Sequence, residues 1–511
     1  MSRATRGGLA VVFTAWLAAC TVGPNYRRPE VKLPDGFIAA SETSDAAARS
    51  KAAIDPATWW HALNDPQLDS LIDRALQANP SLEIALTRLQ EARTFEAAVS
   101  GQALPVLNAS AGAARGTGSN LARGRASPPL VSATDTSGLD HITQVFGFDA
   151  GWEIDVFGRY RREIEAARYD SQAAAAARNA VLVTVVADVA RAYLDMRGLQ
   201  TQLAVLRENI RTAQKLLEIV QARYERGITN ELDVTLARRQ LATLQAQLEP
   251  LAAQIKAAQY AIAVLLGQFP EDLAKELAKP DLIPQVPEKI EAGLPLDLVR
   301  RRPDIQEAER LLAGATARIG IATANLFPRF ALTAGAGYQG QGLGVTPVTN
   351  QFIWSAGGAA SWPLLDFGVL DAFVDIADLR THEQLVYYKQ TVLRAVQEVD
   401  GAITTYAAQQ DRLRNLGEAL LASQRAVSLA TQRYDRGLTD FLNVVDAERQ
   451  QYDLQEQYTA SQTAVAEQFV ALYKALGGGW EQYQSIPPIH QPQPAIIAAF
   501  RRVLYPEDPL K

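Results

Sequence analysis

The sequence predicts an α+β membrane protein with an internal duplication, each chain giving four strands to a shared β-barrel and carrying two long helical hairpins. Three observations predict it. The chain repeats itself, its strand-like runs have one apolar and aromatic face, and each repeat ends in two heptad-patterned stretches joined at a glycine turn.

The repeat is plainest at Ala222-Arg223-Tyr224-Glu225-Arg226-Gly227-Ile228-Thr229, which returns as Gln432-Arg433-Tyr434-Asp435-Arg436-Gly437-Leu438-Thr439, an offset of 210 residues from Gly227 to Gly437. Trp152, Phe157 and Gly158 return at the same offset as Trp362, Phe367 and Gly368. Upstream, Pro80, Ala85, Leu89 and Pro105 match Pro303, Ala308, Leu312 and Pro328 at an offset of 223, so an insertion of 13 residues lies between Pro105 and Trp152. A supersecondary unit used twice has to complement a copy of itself, which points to a symmetric assembly.

At the N-terminus, Arg3 and Arg6 precede a short apolar run, Leu9 to Leu17, that ends in Leu17-Ala18-Ala19-Cys20. This is the charged, apolar, small-residue order of a secretory signal, too short to span a bilayer. Residues 1–19 read as a signal peptide; the small residues before Cys20, the single cysteine, resemble a bacterial lipobox, which implies that Cys20 is the lipidated first residue of the mature chain, the alternative being an incidental cysteine. Thr21 in place of an aspartate after it points to outer-membrane sorting. No run of about 18 consecutive apolar residues follows, so any membrane spanning falls to strands.

Residues 20–65 form an N-terminal segment, 66–267 the first repeat, 268–303 a Pro-rich link, 304–480 the second repeat and 481–511 an extended tail. The first repeat opens with a helix read from Pro66 to Gln102, with Leu68, Leu71, Ile72, Ala75 and Leu76 at helical spacing; its counterpart runs from about Asp304 to Ala324. Pro105 and Pro328 stop the two helices.

Strand pairs follow at about 105–157 and 329–365. Phe146, Phe148, Ala150, Trp152, Ile154 and Val156 alternate with Asp149, Gly151, Glu153 and Asp155. Phe330, Leu332, Ala334, Ala336 and Tyr338 alternate with small polar residues, as do Phe352, Trp354, Ala356, Ala360 and Trp362; the fourth strand, near Leu107 to Ala113, is weaker. Period two marks strands. The apolar face fits either a soluble sandwich core or lipid, and the runs reach the ~9–11 residues that cross a bilayer. In lipid four strands cannot close, because open edges are not tolerated there. Two copies would give eight strands, and three would give twelve around an open lumen; the small inward residues favour twelve.

After Gly158 the period changes. Leu199, Leu203, Leu206, Ile210, Ala213, Leu217, Val220 and Tyr224 alternate steps of four and three, and Leu413, Leu416, Leu420, Ser423, Val427, Ala430 and Tyr434 continue the pattern in the second repeat. Leu241, Leu244, Leu248, Leu251, Ile255, Ala258, Ile262 and Leu265 return as one heptad helix. Gly227 and Gly437 end the outgoing helices, and Asn230 and Asp440 suit the N-caps of the returning ones. Tips are thus predicted at about 225–232 and 435–442. A helix from Gly158 to Tyr224 is roughly 100 Å long at ~1.5 Å per residue, closer to the scale of the periplasm than to that of a globular core.

No catalytic constellation is present. His61, His141, His382 and His490 lack metal-ligand spacing, the mature chain keeps only Met196 as a thioether, and no Gly-rich loop opens a helix after a strand. The predicted chain has no catalytic residue, metal or cofactor. With 50 Lys+Arg against 56 Asp+Glu and a net charge of −6, nucleic acid is not an expected partner.

Cys20, the opening Thr21-Val22-Gly23-Pro24-Asn25-Tyr26-Arg27-Arg28-Pro29, Trp59-Trp60 before Asp65-Pro66, the link Leu298-Val299-Arg300-Arg301-Arg302-Pro303-Asp304-Ile305 and the two Tyr-x-x-Gly tips together resemble the TolC-type outer membrane factors. The similarity is to the lipoprotein branch serving resistance-nodulation-division efflux systems, from Cys20 to about Trp480. The resemblance implies a homotrimer with a twelve-stranded outer-membrane barrel, a periplasmic twelve-helix α-barrel and an equatorial belt that includes residues 20–65. It implies as partners a periplasmic adaptor (membrane fusion) protein, an inner-membrane transporter of that class and outer-membrane lipid. It also implies that Leu442 and Asp446 line a periplasmic gate, with Leu232, Arg223, Tyr224, Arg433 and Tyr434 as gate-tip contacts and Arg226, Gly227, Arg436 and Gly437 as adaptor-contacting tips. From the residues alone, Leu442 reads as a packing residue and Asp446 as a solvated one. The first repeat has Leu236 where Asp446 would be, and Asn443 stands where some relatives carry a second aspartate.

The expected function is a passive exit duct for drugs or other small toxic compounds. A protein-secretion duct of the same fold and a lipid-anchored coiled-coil scaffold without a pore are the alternatives. The scaffold needs no aromatic-faced strands.

Overall fold

The computed structural model describes residues 21–30, 36, 38, 55–116, 141–287, 301–343 and 346–481. The signal peptide, Cys20, residues 117–140, part of the link and the tail beyond Glu481 lie outside the described residues.

The N-terminal segment ends in a 3-10 helix at Pro56–Leu63, and the first repeat begins with α1 (Pro66–Ala78) and α2 (Pro80–Gln102). The sequence predicts one helix here and the structure has two. Asn79 is extended (φ −67°, ψ 123°) because a residue before proline is driven out of the helical region, and its side chain then caps α2 by accepting from Ser81 and Leu82.

Strands β1 (Val106–Gly116) and β2 (His141–Ile154) lead to the long helix α3 (Arg159–Glu225). After the tip come α4 (Glu231–Ala246) and α5 (Leu248–Leu265). The heptads predict a single returning helix; it breaks at Gln247 because Pro250 has no N–H and its ring crowds the carbonyl of Ala246. The link contributes a short helix at Pro270–Ala274.

The second repeat gives α6 (Pro303–Ala324), β3 (Arg329–Leu343), β4 (Thr346–Ser361), α7 (Val369–Asp435) and α8 (Phe441–Ala475). Here Ala460 takes the place of Pro250, and α8 runs unbroken. One stretch of α3 is long and apolar enough to cross a bilayer, but 61% of it is buried inside the chain, as in a core helix.

Two compact units divide the chain. One takes Met1–Glu30, Gln90–Ala174 and Glu307–Lys389; the other takes Val31–Leu89, Ala175–Gln306 and Gln390–Lys511.

The first unit holds an antiparallel sheet in the order β1-β2-β3-β4, so the repeats meet through β2 and β3, leaving β1 and β4 as edges. The register places Phe146, Tyr338 and Phe352 in one row, Phe148, Ala336 and Trp354 in the next, and Trp152 beside Leu332. These large side chains are exposed, Trp354 to 72%. The other face carries Asn108, Asp149, Gly335 and Ser355 in one row and Gly151, Thr333 and Gly357 in another. Val156 and Trp362, expected on strand faces, fall beyond the strand ends. Trp362 donates its indole N–H to the carbonyl of Leu326 and Trp152 donates to that of Ala103, so each repeat ties its strands to the preceding helix end.

In the second unit, Trp59 and Trp60 are 1% exposed, and Trp59 packs with Trp60, Phe469 and Tyr473. Beside α1, Tyr193 donates to Asp65, and buried Arg197 bonds Tyr193, Gln200, Gln67 and the carbonyl of Lys279. Arg302 reaches Asp304, Glu398 and the carbonyl of Ala475, tying the link to the end of α8.

Candidate functional site

Each tip closes alike. Gly227 and Gly437 have φ of 71° and 69°, a left-handed conformation in which a Cβ is strained. Their amides donate to Tyr224 and Tyr434, and those of Ile228 and Leu438 to Arg223 and Arg433, which satisfies the last helical carbonyls. Asn230 caps α4 by accepting from Asp233. Asp440 has the cap conformation (φ −77°, ψ 153°), but its side chain accepts no capping bond; Asn443 instead donates to Thr439.

The two hairpins meet through a core of Val220, Val234, Ala237, Phe441, Val444 and Val445, with Leu216, Leu217, Leu236, Ala430 and Tyr434 packed against it. Each large apolar group buried there stabilises the contact by about 1.5–3 kcal/mol. Across the same contact Arg223 pairs with Asp435 at 3.1 Å and lies 4.9 Å from the centre of the Tyr434 ring.

Leu442 and Asp446 lie off this buried face. Leu442 is 58% exposed, and Asp446 is exposed, accepting from Arg449 at 3.1 Å and Gln450 at 2.9 Å. Leu232 is 63% exposed in the first repeat, whereas Leu236, the counterpart of Asp446, packs against the core. The missing acid of the first repeat thus has a packing reason. Tyr224, Arg226, Arg433 and Arg436 are exposed. The structure therefore joins Arg223 and Tyr434 at one contact and leaves the other named tip side chains on the surface of the chain.

A second group of residues explains the opening motif. Val22 donates to the carbonyl of Phe157 just beyond β2, and Gly158 (φ 83°) has Thr21 2.9 Å from where a Cβ would stand. Buried Arg162 donates to the carbonyls of Val22 and Gly23 and to Asn25. Tyr26 and Arg28 bond Glu309, itself 4% exposed. The chain immediately after Cys20 is therefore fixed beside the end of a strand. Arg162 and Glu309 were not singled out from the sequence; no periodic signal distinguishes a buried ion on a long helix from a solvated one. Glu448 was also missed, although its place on the apolar stripe of Phe441, Val444, Val445 and Tyr452 was a readable signal.

The outer membrane efflux protein family matches residues 71–268 and 294–478. The chain is 29% identical to nodulation protein T of Rhizobium leguminosarum bv. trifolii over 469 residues, covering 92% of this chain and 96% of that protein. It is 30% identical to the toluene efflux pump outer membrane protein TtgC of Pseudomonas putida over 485 residues, covering 93% and 96%. The solved structure of the outer-membrane channel OprN aligns with a TM-score of 0.80 at 32% identity, covering 90% of this chain and all of that one.

Proposed function

Because this chain belongs to the outer membrane efflux protein family, we infer that it is the outer-membrane exit duct of a tripartite efflux pump, a passive channel and not an enzyme. The sheet carries this reading: among the described residues it has a bare aromatic face, a face of mostly small and polar residues and two unpaired edges, β1 and β4. Lipid accepts the first face, water the second, and neither edge can stay open in hydrocarbon. Three copies closing edge to edge give twelve strands around a wet lumen.

The conducted compounds are small and toxic to the cell, the class that includes the toluene named for the Pseudomonas putida relative. A periplasmic adaptor seats on the tips around Arg226, Gly227, Arg436 and Gly437, and a resistance-nodulation-division transporter in the inner membrane drives the flow. Cys20 carries the lipid anchor, supported by the fixing of Thr21 to Asn25 beside the end of β2.

Leu442 and Asp446 form the periplasmic gate, one apolar and one acidic ring when three copies face a common axis. Their exposure in the single chain and their absence from the tip core support this. Replacing both with alanine raises single-channel conductance in planar bilayers and leaves assembly intact, and Asp446→Ala alone weakens cation preference. Unchanged conductance with a less stable assembly would return both residues to helix packing.

A further inference from the structure

One side chain in the tip seam differs from its neighbours. The buried stripe of α8 runs Phe441, Val444, Val445, Glu448, Tyr452. Glu448 falls one turn after the cluster around Val444 and one turn before that in which Tyr452 packs with Leu206, Ile210, Ala213 and Leu244. It is 6% exposed, and neither its Oε2 nor the Tyr452 hydroxyl has a hydrogen-bond partner. The repeat does not require an acid there, since the counterpart on α4 is the exposed Arg238.

The charged groups on the surrounding turns all point to solvent. They are Lys215 and Glu218 on α3, Arg238 and Arg239 on α4, Arg425 on α7, and Asp446 and Arg449 on α8, all exposed. A carboxylate at Glu448 would have little water, at 6% exposure, and no cation beside it among the described residues. Burial therefore pushes its pKa up to about 7 and favours the neutral acid. Tyr452 is raised by the same burial and by the nearby Glu448, and stays protonated.

We propose that Glu448 is a proton-operated latch on the hairpin tip: protonated, it lets α8 close on α3 and α4, and ionised, it drives the hairpins apart. The inference rests on reading the tips as the closing end of the duct. Its sign follows from linkage. When the hairpins separate, the carboxyl is hydrated and returns to its ordinary value of 4.5, whereas in the packed seam it titrates at about 7. The closed seam is thus fully stabilised below about pH 4.5 and loses that stabilisation as pH rises through about 7. The ratio of open to closed seams should rise on the order of tens-fold per chain between about pH 5 and pH 8.

The test uses the full-length assembled protein with spin labels at Arg226→Cys and Arg436→Cys, exposed positions on the two tips. Pulsed electron resonance distances between labels should lengthen or broaden from pH 5 to pH 8 in the parent. In Glu448→Gln, which stays neutral, they should keep the pH 5 distribution throughout. Glu448→Met, apolar and of similar volume, gives the same pH-independent result and replaces the glutamine variant if that one does not assemble. The same pH response in parent and variant, or none in the parent, overturns the latch. Bilayer conductance separates the two readings: conduction with a pH response that ignores Glu448 removes the latch alone, and Glu448-dependent distances without conduction remove the duct.

Discussion

Arg223 links the two hairpins at the rim of their apolar contact. Its guanidinium meets Asp435 and the Tyr434 ring on the opposite hairpin, above a core that is already dry. The ion pair is partly exposed, so its worth is at most about 1 kcal/mol, with a comparable contribution from the ring contact. Arg223→Ala should therefore lower thermal stability only slightly while raising the open probability in planar bilayers, since the pair links the two hairpins and not the turns of one. A loss of several kcal/mol with unchanged conductance would make Arg223 a packing residue. The sequence showed Arg223 and Tyr434 as repeated tip positions, but not that they touch, because contact between residues more than two hundred apart leaves no local period. Leu236 makes the same point: only the packed structure shows that the position matching Asp446 is used for burial.

Among the elements, the strands and long helices were legible because their periods are long and unbroken. Phe146 to Ile154 and Phe330 to Tyr338 alternate, and the structure pairs them as neighbours in register. What the pattern did not show were the breaks at Asn79 and Gln247, because each proline sits within an otherwise continuous apolar series and the heptad count passes over it. The order of the sheet was also hidden, since alternation gives faces and not neighbours. Pro250→Ala probes the second break. The repeat already holds the control in Ala460, where α8 is continuous. The substitution restores an N–H and removes the ring clash, so the amides from Gln247 to Leu251 should gain hydrogen-exchange protection, with a rise in stability on the order of 1 kcal/mol. Lower stability without added protection would mean that the packing of Leu248 and Leu251 needs the bend.

How many chains assemble is decided at the sheet edges. Among the described residues, strands β1 and β4 are the outer strands of the sheet and offer rows of unpaired amides and carbonyls at the rim of a surface whose large side chains are mostly aromatic and bare. In an apolar medium such edges pair or the sheet does not persist. Eight strands leave an interior just filled by side chains, whereas the glycine, serine and threonine rows of the inner face suit a wider, wet lumen. Native mass spectrometry of the detergent-solubilised protein reads the number of chains outright. Three chains, each acylated at Cys20, are expected, and a stable monomer or dimer with intact β-structure would overturn the shared barrel.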